Sequence, residues 1–412
     1  MIRNKKKMKI KRSKSLTPEP SGSSEPKKPK LELDSSLNLQ DFCDDILLNI
    51  LKYLSPPDLL ALSLCSQRMS QLTEDRTLWK KIDFRKHQIP LKDIEKYIKF
   101  FQPTTTSLSM RGDLGAKEGM KLTQTFFRTL TDHCTQLKEL IIEKYYIDGN
   151  KIEITDFPET LEKLSFAGCQ MDHLQTNKSY FFKIDLHMTN LTCLILSHCQ
   201  WLLPHSLLVI SKIAKLKELR MNSCRRLGEC VAYSSLATRF GFKKLETLDL
   251  RDTALGDSEV SCFSGTKTLK HLYLEHPTNI INYTDLNPPF EDGNFFEYIP
   301  ENHWDNEGHQ GRFISDRAIR AIGTTAKKVI HTSPHGILIL EEENRIFNNP
   351  PLKTLVVRNY SRITNSSLIY LSNHILSLET LDVTGTSVTK QGVQTFKSKR
   401  PNVKIISSFD DT

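Results

Sequence analysis

The chain is 412 residues long, with 38% hydrophobic residues and 25% charged, which suffices for two or three domains or one long repeat array. No apolar run reaches the length of a membrane span and no secretory signal opens it, so the expected setting is soluble and intracellular, in the nucleus, the cytoplasm or both. The net charge of +9 is local: residues 1–30 hold eleven Lys/Arg against two Asp/Glu, and the rest holds 46 of each, a balance that weighs against a nucleic-acid-binding body. The nine cysteines are scattered singly, with no Cys-x-x-Cys pair, so neither a zinc module nor a disulfide framework is expected, and no cofactor or metal is implied.

Residues 1–36 are rich in Lys, Ser, Pro and Glu and read as a disordered basic tail. Lys5-Lys6-Lys7, with Lys9, Lys11, Arg12 and Lys14, forms one basic run, and Lys27-Lys28-Pro29-Lys30 another. Such runs suit a nuclear import signal or a solvated charged tail.

Residues 37–84 form a leucine-rich helical module. Phe42, Ile46, Leu47, Ile50, Leu51 and Leu54 fall at helical spacing. Ser55, two prolines and Asp58 predict the next helix start, followed by Leu59, Leu60, Leu62 and Leu64. A unit of this size cannot bury that much leucine alone, so another protein or the next domain is expected to cover part of it.

These residues resemble an F-box, the module that docks on the Skp-type adaptor of a cullin ubiquitin ligase. The matching positions are Phe42, Cys43, Asp45, Ile46 to Leu54, Pro57-Asp58-Leu59-Leu60, Leu64-Cys65, Met69 and Leu78-Trp79. Cys43 replaces the usual proline and Met69 the usual tryptophan. The resemblance implies adaptor binding through Phe42, Cys43, Asp45, Ile46, Leu47, Ile50, Leu51, Pro57 and Leu59.

A linker helix is expected within 85–104, with Ile94, Tyr97, Ile98 and Phe101 on one face. From residue 105 to 410 a Leu-x-x-Leu-x-Leu pattern recurs, beginning at Leu137, Leu161, Leu191, Leu216, Leu245, Leu269, Leu352 and Leu378. A degenerate copy starts at Thr105, and Val403-x-Ile405 is expected as a capping strand. Starts 24 to 32 residues apart, with one gap of 83, match the leucine-rich-repeat period. The fold class is therefore α/β: a small all-α module followed by a curved solenoid, with parallel strands inside and helices outside. Cys134, Cys169, Cys199 and Cys224 resemble the cysteines of the leucine-rich repeats that follow many F-boxes, and read as buried spacers. The gap is expected to hold one irregular repeat with Ile337 to Leu340 as its strand. An acidic, aromatic loop is expected at 277–314, with seven acids and one base.

No phosphate loop, nucleophile elbow or zinc-binding helix is present, so no catalytic residues are expected. By resemblance the chain is a non-catalytic substrate receptor: the F-box holds the adaptor, and through it a cullin core, while the repeats hold a protein substrate. The alternative is an interaction scaffold without ubiquitin transfer. Alternation along a strand places the residues between the leucines on the concave face, where Arg220, Asp249, Arg251 and Tyr273 come from consecutive copies. They are the expected substrate-binding residues, since arginine and tyrosine dominate interface hot spots.

Overall fold

The structure is a computed structural model that describes residues 39–116, 119–174, 178–227, 231–277, 314–332, 338–347 and 349–409. The basic tail and most of the acidic loop lie outside the described residues. The chain divides into two compact units, residues 1–47 and 48–412. The described part of the first holds a 3-10 turn at Leu39–Asp41 and the start of helix α1 (Asp44–Leu51).

In the second unit, α2 (Pro56–Ser63) starts where the sequence predicts. Pro56 occupies the first helical position, and Ser55 and Asp58 exchange hydrogen bonds as a capping box. Ser66 caps α3 (Gln67–Thr73) by accepting from the Met69 amide. Trp79 ties these helices to the segment that leads into the repeats. Its indole donates to the Thr73 carbonyl at 2.7 Å, its ring stacks on Phe100, and Thr105 donates to its carbonyl. The expected linker helix is one α turn, α4 (Leu91–Ile94), continued as a 3-10 helix over Glu95–Phe100. Leu91, Ile94, Tyr97 and Phe100 are buried. That spacing of three fits the 3-10 repeat, in which residues i and i+3 eclipse.

The repeats build one sheet of eleven strands. In chain order the strands are β1 (Lys81–Asp83), β2 (Ser107–Arg111), β3 (Glu139–Glu143), β4 (Tyr146–Asp148), β5 (Lys163–Ser165), β6 (Gln170–Asp172), β7 (Cys193–Ile195), β8 (Glu218–Arg220), β9 (Thr247–Asp249) and β10 (His271–Glu275). They continue as β11 (Thr324–Thr332), β12 (Leu338–Phe347), β13 (Thr354–Arg358), β14 (Thr380–Asp382) and β15 (Lys404–Ile406). The large sheet runs β1-β2-β3-β5-β7-β8-β9-β10-β13-β14-β15, and every pairing is parallel. The leucines of each pattern are buried, and truncating any one to alanine would cost about 2–5 kcal/mol. β4 and β6 form a separate parallel pair. The repeat pattern does not foresee strand β1, because Lys81-Ile82-Asp83 is too short to stand out; it starts the sheet inside the segment read as F-box.

Helices line the other side; α5 (Gln124–His133) comes between β2 and β3, and from α6 (Ile184–His187) each packs on the next: α7 (Ser206–Ile210), α8 (Val231–Phe240), α9 (Asp257–Ser264), α10 (Asp316–Ala321), α11 (Asn365–His374) and α12 (Lys390–Lys399). The last helix starts are laced together. Asp257 accepts from the Ser315 amide and hydroxyl, Asp316 does the same for Thr364, and Asn365 accepts from the Thr389 amide. Each cap thus serves its own helix and the one before it.

The 83-residue gap is corrected by this arrangement. β10 pairs directly with β13, so no extra repeat strand lies between them. Residues 338–340 belong to β12, which pairs antiparallel with β11 as a hairpin apart from the large sheet. α10 stands between α9 and α11 as the helix of the repeat that β10 opens. After α10, the described part of the lengthening is the β11–β12 hairpin.

The cysteines form a ladder. Cys169 donates to the Ile142 carbonyl at 3.4 Å, Cys199 to Phe166 at 3.1 Å and Cys224 to Leu196 at 2.9 Å. Each thiol therefore closes on the backbone of the preceding repeat, at or just past its strand. Burial pushes the thiols of Cys169 and Cys224 up to about 12, so they stay protonated.

Candidate functional site

Two surfaces carry the residues expected to bind partners. The first is the helical module. Leu47, Leu51 and Leu59 are buried, at 0%, 1% and 3% exposure. Although expected at the adaptor contact, in this chain they are interior side chains, as are Met69, Leu72 and Trp79. Ile46 and Ile50, four apart on α1, are about half exposed, and Phe42 and Pro57 are partly exposed. Cys43 and Asp45 lie on the surface. Tyr53, Leu54 and Leu64 are exposed large apolar residues as well, with Leu64 at 84%. Helical spacing marks which residues share a stripe, but not which stripe a neighbouring helix covers.

The second surface is the concave face of the sheet. The register aligns Ser109, Ile141, Ser165, Ile195, Arg220, Asp249, Tyr273, Val356 and Asp382 in one row. Arg220, Asp249 and Tyr273 are thus direct neighbours, as their spacing predicts. Exposure is not as expected. Ser109, Ser165, Asp249 and Asp382 are buried; only Ile195, Arg220 and Tyr273 of this row are open to a partner. Strands lie about 4.8 Å apart, so a short side chain sits beneath its longer neighbours. Arg251 lies over Asp249 and donates to it at 2.9 and 2.7 Å, and Arg358 does the same to Asp382 at 2.8 and 2.6 Å.

Asp249 is therefore a holder of Arg251 and not itself a contact surface. Arg220 pairs with Glu218 one turn of the pleat away. The guanidinium of Arg251 lies 5.6 Å from the Tyr273 ring centroid, within cation–π range. Each of these arginines already has a carboxylate, so neither depends on the acidic loop for charge balance. That loop's pairing with them falls outside the described residues. Hydrogen bonding and nearby acids raise the pKa of Arg251 further, so the patch keeps its positive charge at any working pH.

Among the described residues no cluster of His, Cys, Asp and Glu could hold a metal, and no helix is long and apolar enough to cross a membrane.

Comparison with known proteins bears on the helical module and on the chain's overall likeness. Residues 44–85 match the F-box-like family model. F-box/LRR-repeat protein 12 of Mus musculus is 24% identical over 212 residues, covering 51% of this chain and 64% of that protein. The Homo sapiens protein of the same name gives the same identity and coverage. The matched segment thus spans under two thirds of those relatives. Among solved structures, an internalin from Listeria monocytogenes aligns with a TM-score of 0.43 at 12% identity, covering 90% of each chain. Residues 44–85 are thus similar to the F-box-like family, and the chain carrying them and the parallel one-strand-per-repeat sheet is similar in sequence to F-box/LRR-repeat proteins.

Proposed function

We propose that this chain is the substrate-recognition subunit of a cullin-type ubiquitin ligase, non-catalytic itself. Its F-box would bind a Skp-type adaptor, and its concave face a protein substrate. The observation that carries this reading is the apolar surplus of the module. Leu47, Leu51, Leu59 and Trp79 are already buried, yet Ile46, Ile50, Tyr53, Leu54 and Leu64 remain exposed. Exposed large apolar residues gathered in so short a segment suit an interaction site. The receptor would act by proximity, raising the concentration of substrate lysines near a charged ubiquitin donor.

On the concave face Arg220, Arg251 and Tyr273 are the proposed contacts, with Asp249 fixing Arg251. The test is affinity purification of the chain and of the Arg220→Glu, Arg251→Glu double variant. Substrates should be lost from the variant while adaptor and cullin remain. A folded variant that retained every captured protein would place recognition elsewhere. The basic runs of residues 1–30 support nuclear import; a fluorescent fusion lacking them should leave the nucleus, and an unchanged nuclear signal would contradict this.

A further inference from the structure

A cleft of about 490 Å³ opens where the helical module meets the first strand of the sheet. Its walls come from the end of α1 and start of α2, from β1 and from the ends of the β2 and β3 rows. Five cations line it, Lys52, Lys81, Arg85, Lys86 and Arg111, against two carboxylates, Asp83 and Glu143. This local excess stands in a body that is charge-balanced outside residues 1–30.

The cationic wall is pre-positioned. Glu143 accepts from Arg111 Nε at 2.8 Å and lies 3.7 Å from Arg85, while Asp83 takes Arg85 through Nε and Nη2. Glu143 is mostly covered, at 16% exposure. Arg111 is thus held through one nitrogen, which leaves its terminal amino groups for a ligand. Lys52, Lys81 and Lys86 are exposed around it.

We propose that this cleft binds an anionic peptide segment, through clustered carboxylates or phosphates on the peptide. Two features favour a peptide over other anions. The cations are spread along the cleft and none is deeply buried, so a single small ion finds no desolvated socket, whereas an extended chain with several negative groups meets them in turn. Single-stranded nucleic acid would want stacking platforms, but Trp79 is buried and Tyr53 is the one exposed aromatic of the lining. At the inner wall Arg111 and Glu143 lie opposite each other in the β2–β3 register. The binding step itself does not depend on the ligase reading.

The test is fluorescence anisotropy with the purified full-length chain at low salt. The probes are a Glu-rich peptide, the same peptide carrying phosphoserines, and an oligothymidylate. The variants are Lys52→Glu with Lys81→Glu, both exposed, and separately Arg111→Gln. At least one of the two peptides should bind, with affinity falling as salt rises, and each variant should weaken it by about tenfold with an unchanged thermal midpoint. Preference between the peptides identifies phosphate or carboxylate as the anion read. Any contribution from the basic tail is common to all variants. Unchanged peptide affinity in the folded variants would overturn the proposal, as would an equal loss for oligothymidylate.

Discussion

Arg251 covers Asp249. Two hydrogen bonds, at 2.9 and 2.7 Å, join a guanidinium that is one-third exposed to a carboxylate that is 1% exposed. The pair turns an acid that would otherwise face the concave groove into the mount of a basic contact. Truncating Arg251→Ala leaves Asp249 without its partner and should cost about 1–2 kcal/mol, toward the low end for a charge-assisted bond because water reaches the guanidinium. Urea unfolding with an unchanged m-value reads this directly; a loss below a few tenths would mean that the pair is a bystander.

The described thiols differ in exposure, with Cys262 intermediate and Cys193 among the buried ones. Cys43 and Cys65 are exposed, whereas Cys134, Cys169, Cys199 and Cys224 are buried. Burial also pushes Cys134 up to about 11 and Cys169 to about 12. Since the thiolate is the nucleophile, brief iodoacetamide treatment of the native chain should modify Cys43 and Cys65 first by mass spectrometry. The four ladder and spacer cysteines should react only after denaturation. Early labelling of Cys199 would show that the repeat stack opens.

Asp382 makes part of the stability pH-dependent. Burial opposes its ionisation, but hydrogen bonds from Arg358 and Thr384 outweigh that and hold its pKa below the ordinary 3.8. A carboxyl with a depressed folded pKa contributes stability that is complete above its unfolded value and lost as pH falls through the folded one. Asp382→Asn should therefore lower the unfolding free energy at neutral pH. It should also flatten the loss of stability between about pH 4 and the lower folded value. An identical acid profile for the two proteins would contradict the assignment.

Much of this fold is legible in the leucine spacing. The residues between the leucines fall into register as counting predicts, so Arg220, Asp249 and Tyr273 emerge as neighbours. What counting misses is coverage. Period-two alternation assigns Asp249 to the concave side but cannot tell that Arg251 roofs it, because that depends on side-chain length across rows. In the same way, helical spacing puts Leu47 and Ile50 among the apolar residues of α1, yet only packing decides that Leu47 is buried and Ile50 is exposed. The run of apolar residues around 338–340 lacks the Leu-x-x-Leu step. It does form a strand, but its partner is an antiparallel hairpin strand and not the large sheet. Lys81-Ile82-Asp83 carries one inward residue, too little for any periodicity to show.

The position of β1 also determines how the ligase reading is tested. Deleting the F-box-like segment would remove an edge strand and Trp79, which stacks on Phe100, so loss of binding would not be separable from loss of fold. Leu47→Asp fails for the same reason, since burying an unpaired carboxylate costs several kcal/mol, on the order of the whole stability of a domain. The exposed residues are the proper target. The decisive measurement is a pull-down of the Skp-type adaptor with the wild-type chain and with the Ile46→Asp, Ile50→Asp double variant, each checked for an unchanged thermal midpoint. The account predicts that the wild type recovers adaptor and cullin while the folded variant recovers neither. Full recovery by that variant, or no adaptor with the wild type, would contradict it, and the latter would leave an interaction scaffold without ubiquitin transfer as the better description.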